Sequence, residues 1–147
     1  MLAVLAQHYP QGLREAQWAL LSKLKRTGGT WSTYRSRLKG KGYTREEGGL
    51  FYATDAGIEA AGIVPEVPQT TGEVISMWRS KPGMGPAIRL VEAALEHPEG
   101  IDRDELGILV GLEPSAGTFS TYLSRARTAG LLEVEGRVVK PAEALFP

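Results

Sequence analysis

Apolar positions along this chain recur at helical spacing and then at strand spacing, and the same succession comes round twice. The later round is the clearer. "GPAIRLVEAALEHPEG" sets Ile88, Val91 and Leu95, with the alanines between them, on one helical face, and Pro98 and Gly100 end the run. Asp102 is placed to cap a second helix, with Glu105 three residues on in a capping-box-like position, and Gly111 is the expected left-handed stop. Pro114 and Ser115 predict a turn and a cap for a third helix over 117–129, which Gly130 ends. At 100° per residue Phe119, Tyr122, Leu123 and Ala126 share its inner face, and Thr121, Ser124, Arg125 and Thr128 the outer one. "LLEVEGRVVK" then makes two β-prone runs about Glu135-Gly136, a hairpin.

The earlier round predicts helices over 2–7, 13–24 and 29–41. Trp18, Leu20, Leu21 and Leu24 supply the buried side of the second, and Trp31, Tyr34 and Leu38 that of the third. "YTREEGGLFYAT" reads as a hairpin about Glu47-Gly48-Gly49, after which Thr54 or Asp55 caps a closing helix to residue 61. The two rounds align without a gap, residues 2–52 onto 90–140, about 88 residues apart. "GTWSTYRSRLKGKGY" and "GTFSTYLSRARTAGL" carry the densest identity, with Trp31 opposite Phe119 as an aromatic swap. Pro10 and Gly12 also match Pro98 and Gly100, outside the helices, which favours two copies of one small fold over two merely similar helices.

Helix, helix, turn, helix, hairpin is the order of a winged helix-turn-helix. The expected architecture is mainly α with small β-hairpins, as two tandem winged helix-turn-helix domains: 1–62, then a linker at 63–72, then 73–147. "GIVPEVPQTTG" gives the linker its semi-stiff, proline-containing character. "EVISMWRSKPGMG" predicts an extra short helix that Met77 and Trp78 pack onto the later domain.

Length and composition agree with this reading and exclude others. A chain of 147 residues has room for one ordinary domain or two very small ones. It holds no cysteine, so disulfides, thiolate nucleophiles and the usual structural zinc ligands are excluded together, and a cytoplasmic setting is expected. No apolar run reaches membrane-spanning length, and "MLAVLAQHYPQG" lacks the basic flank of a signal peptide. His8 and His97 each follow a first helix and share no ligand spacing, so no metal and no cofactor is expected. No serine sits in a G-x-S-x-G setting, and Asp102, Asp104 and Glu105 read as caps and solvated acids, so the chain is expected to be no enzyme. The aromatics Trp31, Tyr34, Phe119 and Tyr122 would be a platform for single strands only if they faced outward, and their helical phase places them inward.

Charge separates the copies. Residues 1–60 carry nine basic and five acidic side chains, a net +4, and residues 61–147 carry eight and twelve, a net −4. From residue 23 to residue 45 every charge is positive: Lys23, Lys25, Arg26, Arg35, Arg37, Lys39, Lys41 and Arg45. In a helix-turn-helix these positions cover the turn, the third helix and the start of the wing, the parts that meet duplex DNA. Thr30, Ser32, Thr33 and Ser36 are placed to reach phosphates or base edges, and Arg37 to reach guanine. Thr121, Ser124 and Arg125 are their weaker counterparts in the acidic copy. The expected partner is double-stranded DNA, in transcriptional regulation or a DNA-processing assembly. The acidic copy is the expected site for a protein partner or a homodimer, with no membrane role.

"SAGTFSTYLSRARTAGLLE" resembles the C-terminal winged-helix tail of bacterial ATP-binding proteins related to the FtsK/HerA DNA-translocating ATPases. The resemblance covers the later copy best and implies a winged helical module used on DNA or for docking in a DNA-handling assembly. The chain departs from those ATPases in having no G-x-x-x-x-G-K-[ST] loop, so the nucleotide chemistry is not carried over. Met1 falls inside a helical pattern, which leaves open that the chain is the tail of a larger ATPase.

Overall fold

The computed structural model describes residues 1–62, 68 and 70–146. The chain divides into two compact units, Met1–Gln69 and Thr70–Pro147. The first runs α1 (Leu2–His8), β1 (Leu13–Arg14), α2 (Glu15–Leu21), α3 (Gly29–Gly40), β2 (Thr44–Glu47), β3 (Leu50–Ala53) and α4 (Asp55–Ala61). The second runs α5 (Thr71–Arg79), α6 (Gly85–Leu95), β4 (Ile101–Asp102), α7 (Arg103–Leu109), α8 (Gly117–Thr128), β5 (Leu132–Glu135), β6 (Val138–Pro141) and a 3-10 turn, Glu143–Leu145. Two similar units of helices and a β-hairpin, each closing a three-stranded antiparallel sheet, make this a tandem winged-helix-like architecture. Most of the predicted linker, residues 63–67 and 69, lies outside the described residues, and Thr71 already belongs to α5.

The sheets contain a strand that periodicity did not predict. Residues 13–14 were expected to open the second helix, but Leu13 pairs with Phe51 and Arg14 with Leu50, so α2 begins only at Glu15. Ile101 and Asp102 pair with Val139 and Val138 in the same way. Two residues are too few to show alternation, and the hairpin's unpaired edge overrides local helical preference. In each unit the hairpin's second strand therefore lies in the middle, in the orders β1-β3-β2 and β4-β6-β5.

Both hairpins close through two-residue loops. Gly48 and Gly49 have φ of 60° and 79°, the positive values that a type I′ turn requires at both central positions. The helix stops are duplicated as well. Gly42 and Gly130 follow α3 and α8 in the left-handed region, and Tyr43 N and Leu131 N donate back to Leu38 O and Ala126 O at 3.0 Å each, a Schellman closure. The same closure shapes the turn between the second and third helices, where Leu24 N donates to Ala19 O and Leu112 N to Gly107 O. Its left-handed residue is Gly111 in the second unit, as expected, and Lys23 in the first, at φ 60°. A lysine there carries roughly 1–2 kcal/mol of backbone strain.

Each unit has its own core. In the first, Trp18, Trp31, Leu5 and Leu20 are fully buried, with Trp18 edge-on to Trp31 at 4.7 Å between ring centroids and against Phe51 at 5.2 Å. In the second, Phe119, Ile88, Leu90, Leu106, Leu131 and Leu145 fill the centre. Trp78 on α5 is fully buried beside Val74 and Ile75 on the same helix, the packing role expected of it, while Met77 is half-buried. The ungapped alignment breaks down at the first helix. Val4 is buried, but its aligned residue Glu92 is exposed and forms an ion pair with Arg79, because α6 turns a different face inward to receive α5.

Two capping expectations differ in outcome. Thr54 caps α4, accepting from Gly57 N at 3.1 Å while donating to Gly42 O at 2.6 Å. Ser115 does not cap α8; its hydroxyl bonds Glu113 at 3.2 Å, and Ala116 takes the cap position. Thr54 N also bonds Tyr43 O, so α4 is drawn onto the start of the wing until Gly57 meets the backbone of Tyr43. A β-carbon at Gly57 would lie 2.1 Å from Tyr43 O, and backbone cannot rotate away. Gly57→Ala is therefore expected to destabilise the first unit by roughly 2–3 kcal/mol in urea denaturation, although alanine is the better helix former.

Candidate nucleic-acid interface

Trp31 anchors the third helix of the first unit. It is the one fully buried residue of α3, and its Nε1 donates to Glu15 Oε1 at 2.9 Å. The same Glu15 oxygen receives Arg35 Nη1 at 2.5 Å, and the Arg35 guanidinium lies 5.9 Å from the centre of the Phe51 ring. Arg35 is thus drawn toward the sheet, only half exposed, and ties α3 to α2 and β3. Its guanidinium is held by the fold rather than presented with the other cations.

Anchoring at Trp31 turns most of α3 to solvent. Thr30, Ser32, Thr33, Ser36, Arg37 and Lys39 are exposed, as are Lys41 just beyond and Lys25 and Arg26 in the preceding turn. Lys23 in that turn is half-buried. None of Lys25, Arg26, Arg37, Lys39 and Lys41 is paired with a carboxylate among the described residues. Tyr34 corrects the expectation that it faces inward: it is 45% exposed, with Arg37 at 6.0 Å from its ring centre. One indole fills the space beneath this helix, and Leu38 is only half-buried.

The wing is electrostatically different. Arg45 pairs with Glu47 at 2.5 Å and lies over the Tyr52 ring at 4.2 Å, so its charge is committed within the hairpin. Glu46 and Glu47 stand exposed beside the Gly48-Gly49 tip. An open groove of about 530 Å³ runs between α3 and the wing, where Ser36, Lys39 and Arg45 face Glu15 and Glu46. Lys25, Arg26, Arg37, Lys39 and Lys41, which form no ion pair among the described residues, therefore lie in the turn, on α3 and just beyond it. Arg37 and Lys39 in its last turn also complement the negative end of the helix.

The second unit presents the same geometry with less charge. Thr121, Ser124 and Arg125 are exposed on α8, but Thr121 Oγ1 donates to Gly117 O at 2.8 Å and Arg125 Nη1 to Gly83 O at 3.1 Å. Glu113 stands where the first unit has Lys25, Ala129 where it has Lys41, and Glu133 where it has Arg45. Tyr122 is half-buried, and Arg127, which the sequence reading did not single out, is exposed. The chain matches no family model, no curated protein and no solved structure.

Glu15 was not foreseen as part of this site, although the repeat holds its signal. Glu15, Trp31 and Arg35 of the first unit correspond to Arg103, Phe119 and Leu123 of the second, and all three change together. A phenyl ring has no N–H to offer an acid, and a leucine has no charge. Arg103 instead lies over the Phe119 ring at 5.3 Å and donates to Ser120 Oγ at 2.8 Å.

The second wing is fastened by charge. Arg137, in the hairpin turn, pairs with Asp102 at 3.3 Å and with Asp104 at 2.5 Å, and Asp102 also caps α7 through Asp104 N at 3.0 Å. Desolvation alone would raise the Asp102 pKa, but Arg137 and the amides of Asp104 and Glu105 outweigh it and hold it below the usual value. A lowered carboxyl pKa stabilises the fold above the ordinary carboxylate range, and that gain is lost as pH falls through the lowered value. Arg137→Ala should therefore melt below wild type at about pH 7, and the gap should narrow as pH falls through the lowered pKa of Asp102.

Among the described residues no three His, Asp or Glu side chains are grouped to hold a metal ion, and no helix is long and apolar enough to cross a membrane.

Proposed function

We propose that the first unit binds double-stranded DNA, with the outer face of α3 in the major groove and the preceding turn on the phosphates. The observation that carries this reading is the cluster of Lys25, Arg26, Arg37, Lys39 and Lys41, exposed on one helix-turn-helix and unpaired with acid among the described residues. Thr30, Ser32, Thr33 and Ser36 lie among these cations, suited to phosphate and base-edge hydrogen bonds. The acidic wing tip stays out of the phosphate path, and Arg35 supports the helix from behind. No chemistry is assigned to the protein. Its work is binding, in the cytoplasm, as a regulator of transcription or a component of a DNA-processing assembly.

Five phosphate contacts give a slope of log affinity on log salt of about −4.5. Affinity for a mixed-sequence duplex is then expected to fall by several hundredfold, on the order of magnitude, between about 50 and 200 mM salt. Fluorescence anisotropy on a labelled duplex measures this directly, and binding that ignores salt, or no binding at all, would overturn the proposal.

A second reading assigns protein docking to the second unit. It is favoured by the acidic balance of residues 61–147 and by two exposed apolar residues on α7, Ile108 and Leu109. The resemblance of "SAGTFSTYLSRARTAGLLE" to the tails of FtsK/HerA-related ATPases suggests a DNA-handling ATPase as one such partner.

A further inference from the structure

Comparison of the units singles out one surface that duplex binding leaves unexplained. Leu20 and Leu21 on α2 are 1% and 2% exposed, whereas the residues at the same repeat positions on α7, Ile108 and Leu109, are 70% and 55% exposed. Glu105 lies one turn earlier on the same face, and Glu113 follows in the turn beyond, both exposed. Arg89 reaches this edge from α6, but its Nη2 is turned onto Val110 O at 3.1 Å. The result is an apolar ridge with carboxylates before and after it.

The first unit carries a surface of opposite shape and charge. A cleft of about 290 Å³ opens between the start of α1 and the outer face of α3, lined by Met1, Leu2, Tyr34 and Leu38, with Arg37 and Lys41 as its cationic members. We infer that the Ile108–Leu109 ridge of one molecule seats in the Tyr34–Leu38 cleft of a second copy of this chain, with Glu105 and Glu113 against Arg37 and Lys41. Apolar area supplies the affinity, and the paired charges set the register. Two different patches meet, so the contact is head-to-tail and can propagate from copy to copy. It occupies Arg37 and Lys41, so self-association and duplex binding exclude one another. The mutual exclusion rests on the duplex-binding reading, whereas the association itself does not.

The test is sedimentation equilibrium of the full chain over a wide concentration range. The weight-average mass should rise above the monomer's 15.9 kDa, and excess duplex should return the protein to single copies. Ile108→Ser with Leu109→Ser changes only exposed side chains, and should raise the dissociation constant about tenfold or more. Arg37→Glu should do the same, and Glu105→Arg added to it should restore association, a rescue that a misfolded variant could not give. A mass fixed at 15.9 kDa throughout, or an assembly unaffected by the Ile108/Leu109 change, would overturn the inference. A monomer whose duplex affinity rises on that change would place the contact within one chain and would equally overturn docking of a second copy. Absence of duplex binding would leave the association results standing, so the two readings fail separately.

Discussion

Replacing Arg37, Lys39 and Lys41 together with alanine is expected to weaken duplex binding about 100-fold at 0.15 M salt. Each phosphate neutralised by a cation contributes about 0.7 log units of affinity at that ionic strength, through counterion release. Three lost contacts give about two log units, and the salt slope should flatten from about −4.5 to about −2. The side chains are exposed and lack acidic partners among the described residues, so stability should move by less than about 0.5 kcal/mol. Arg35→Ala is the contrasting control. Arg35 sits on Glu15 beside Phe51, so its loss should lower the melting temperature of the first unit and affect binding mainly through that destabilisation. Anisotropy titrations at three salt concentrations, with a thermal melt of each variant, decide the matter. If the triple variant binds like wild type, α3 does not face DNA.

Trp31→Ala should remove about 3–5 kcal/mol from the first unit, and so unfold most or all of it. Three losses combine there. The indole is 1% exposed and stands edge-on to Trp18, so its removal leaves a large cavity beneath α3. Glu15 loses the Nε1 donor. The helix loses its only fully buried side chain, and so the contact that presents its cations. The second unit is a natural comparison, since it uses Phe119 at this position. Trp31→Phe alone should still cost about 1–2 kcal/mol, because Glu15 remains with a lost donor and the smaller ring leaves a void. Adding Glu15→Arg and Arg35→Leu, the residues of the second unit, should recover part of that loss. Amide hydrogen exchange reads the units separately: protection in 1–62 should collapse in Trp31→Ala while that in 70–146 persists.

The parts of this fold that were legible in the sequence were those governed by one local rule each. Helical phase located the third helices, Gly130 marked the end of the later one, and Gly48-Gly49 and Gly136 marked the hairpin turns. Leu13–Arg14 and Ile101–Asp102 were not legible, because a two-residue strand exists only through its partner across the sheet. Tyr34 shares the phase of Trp31 and Leu38, and phase alone could not tell that a single indole would fill the available depth. The cationic cluster was legible as a run of charge. Which of its members the fold holds for itself was not, since the Glu15–Arg35 and Glu47–Arg45 pairs depend on how α2 and the hairpin are placed around α3.

The short first strands have an effect on the sheet borders. Each sheet ends on one side in a two-residue strand and on the other in β2 or β5. Of those, β2 reads Thr-Arg-Glu-Glu, and β5 alternates Leu132 and Val134 with Glu133 and Glu135. A foreign strand seeking to extend either sheet meets a border too brief to template it or one bristling with carboxylates. Duplication places two such sheets in one chain, and the same two devices, a brief strand on one side and acidic side chains on the other, disfavour edge-to-edge pairing at each of them.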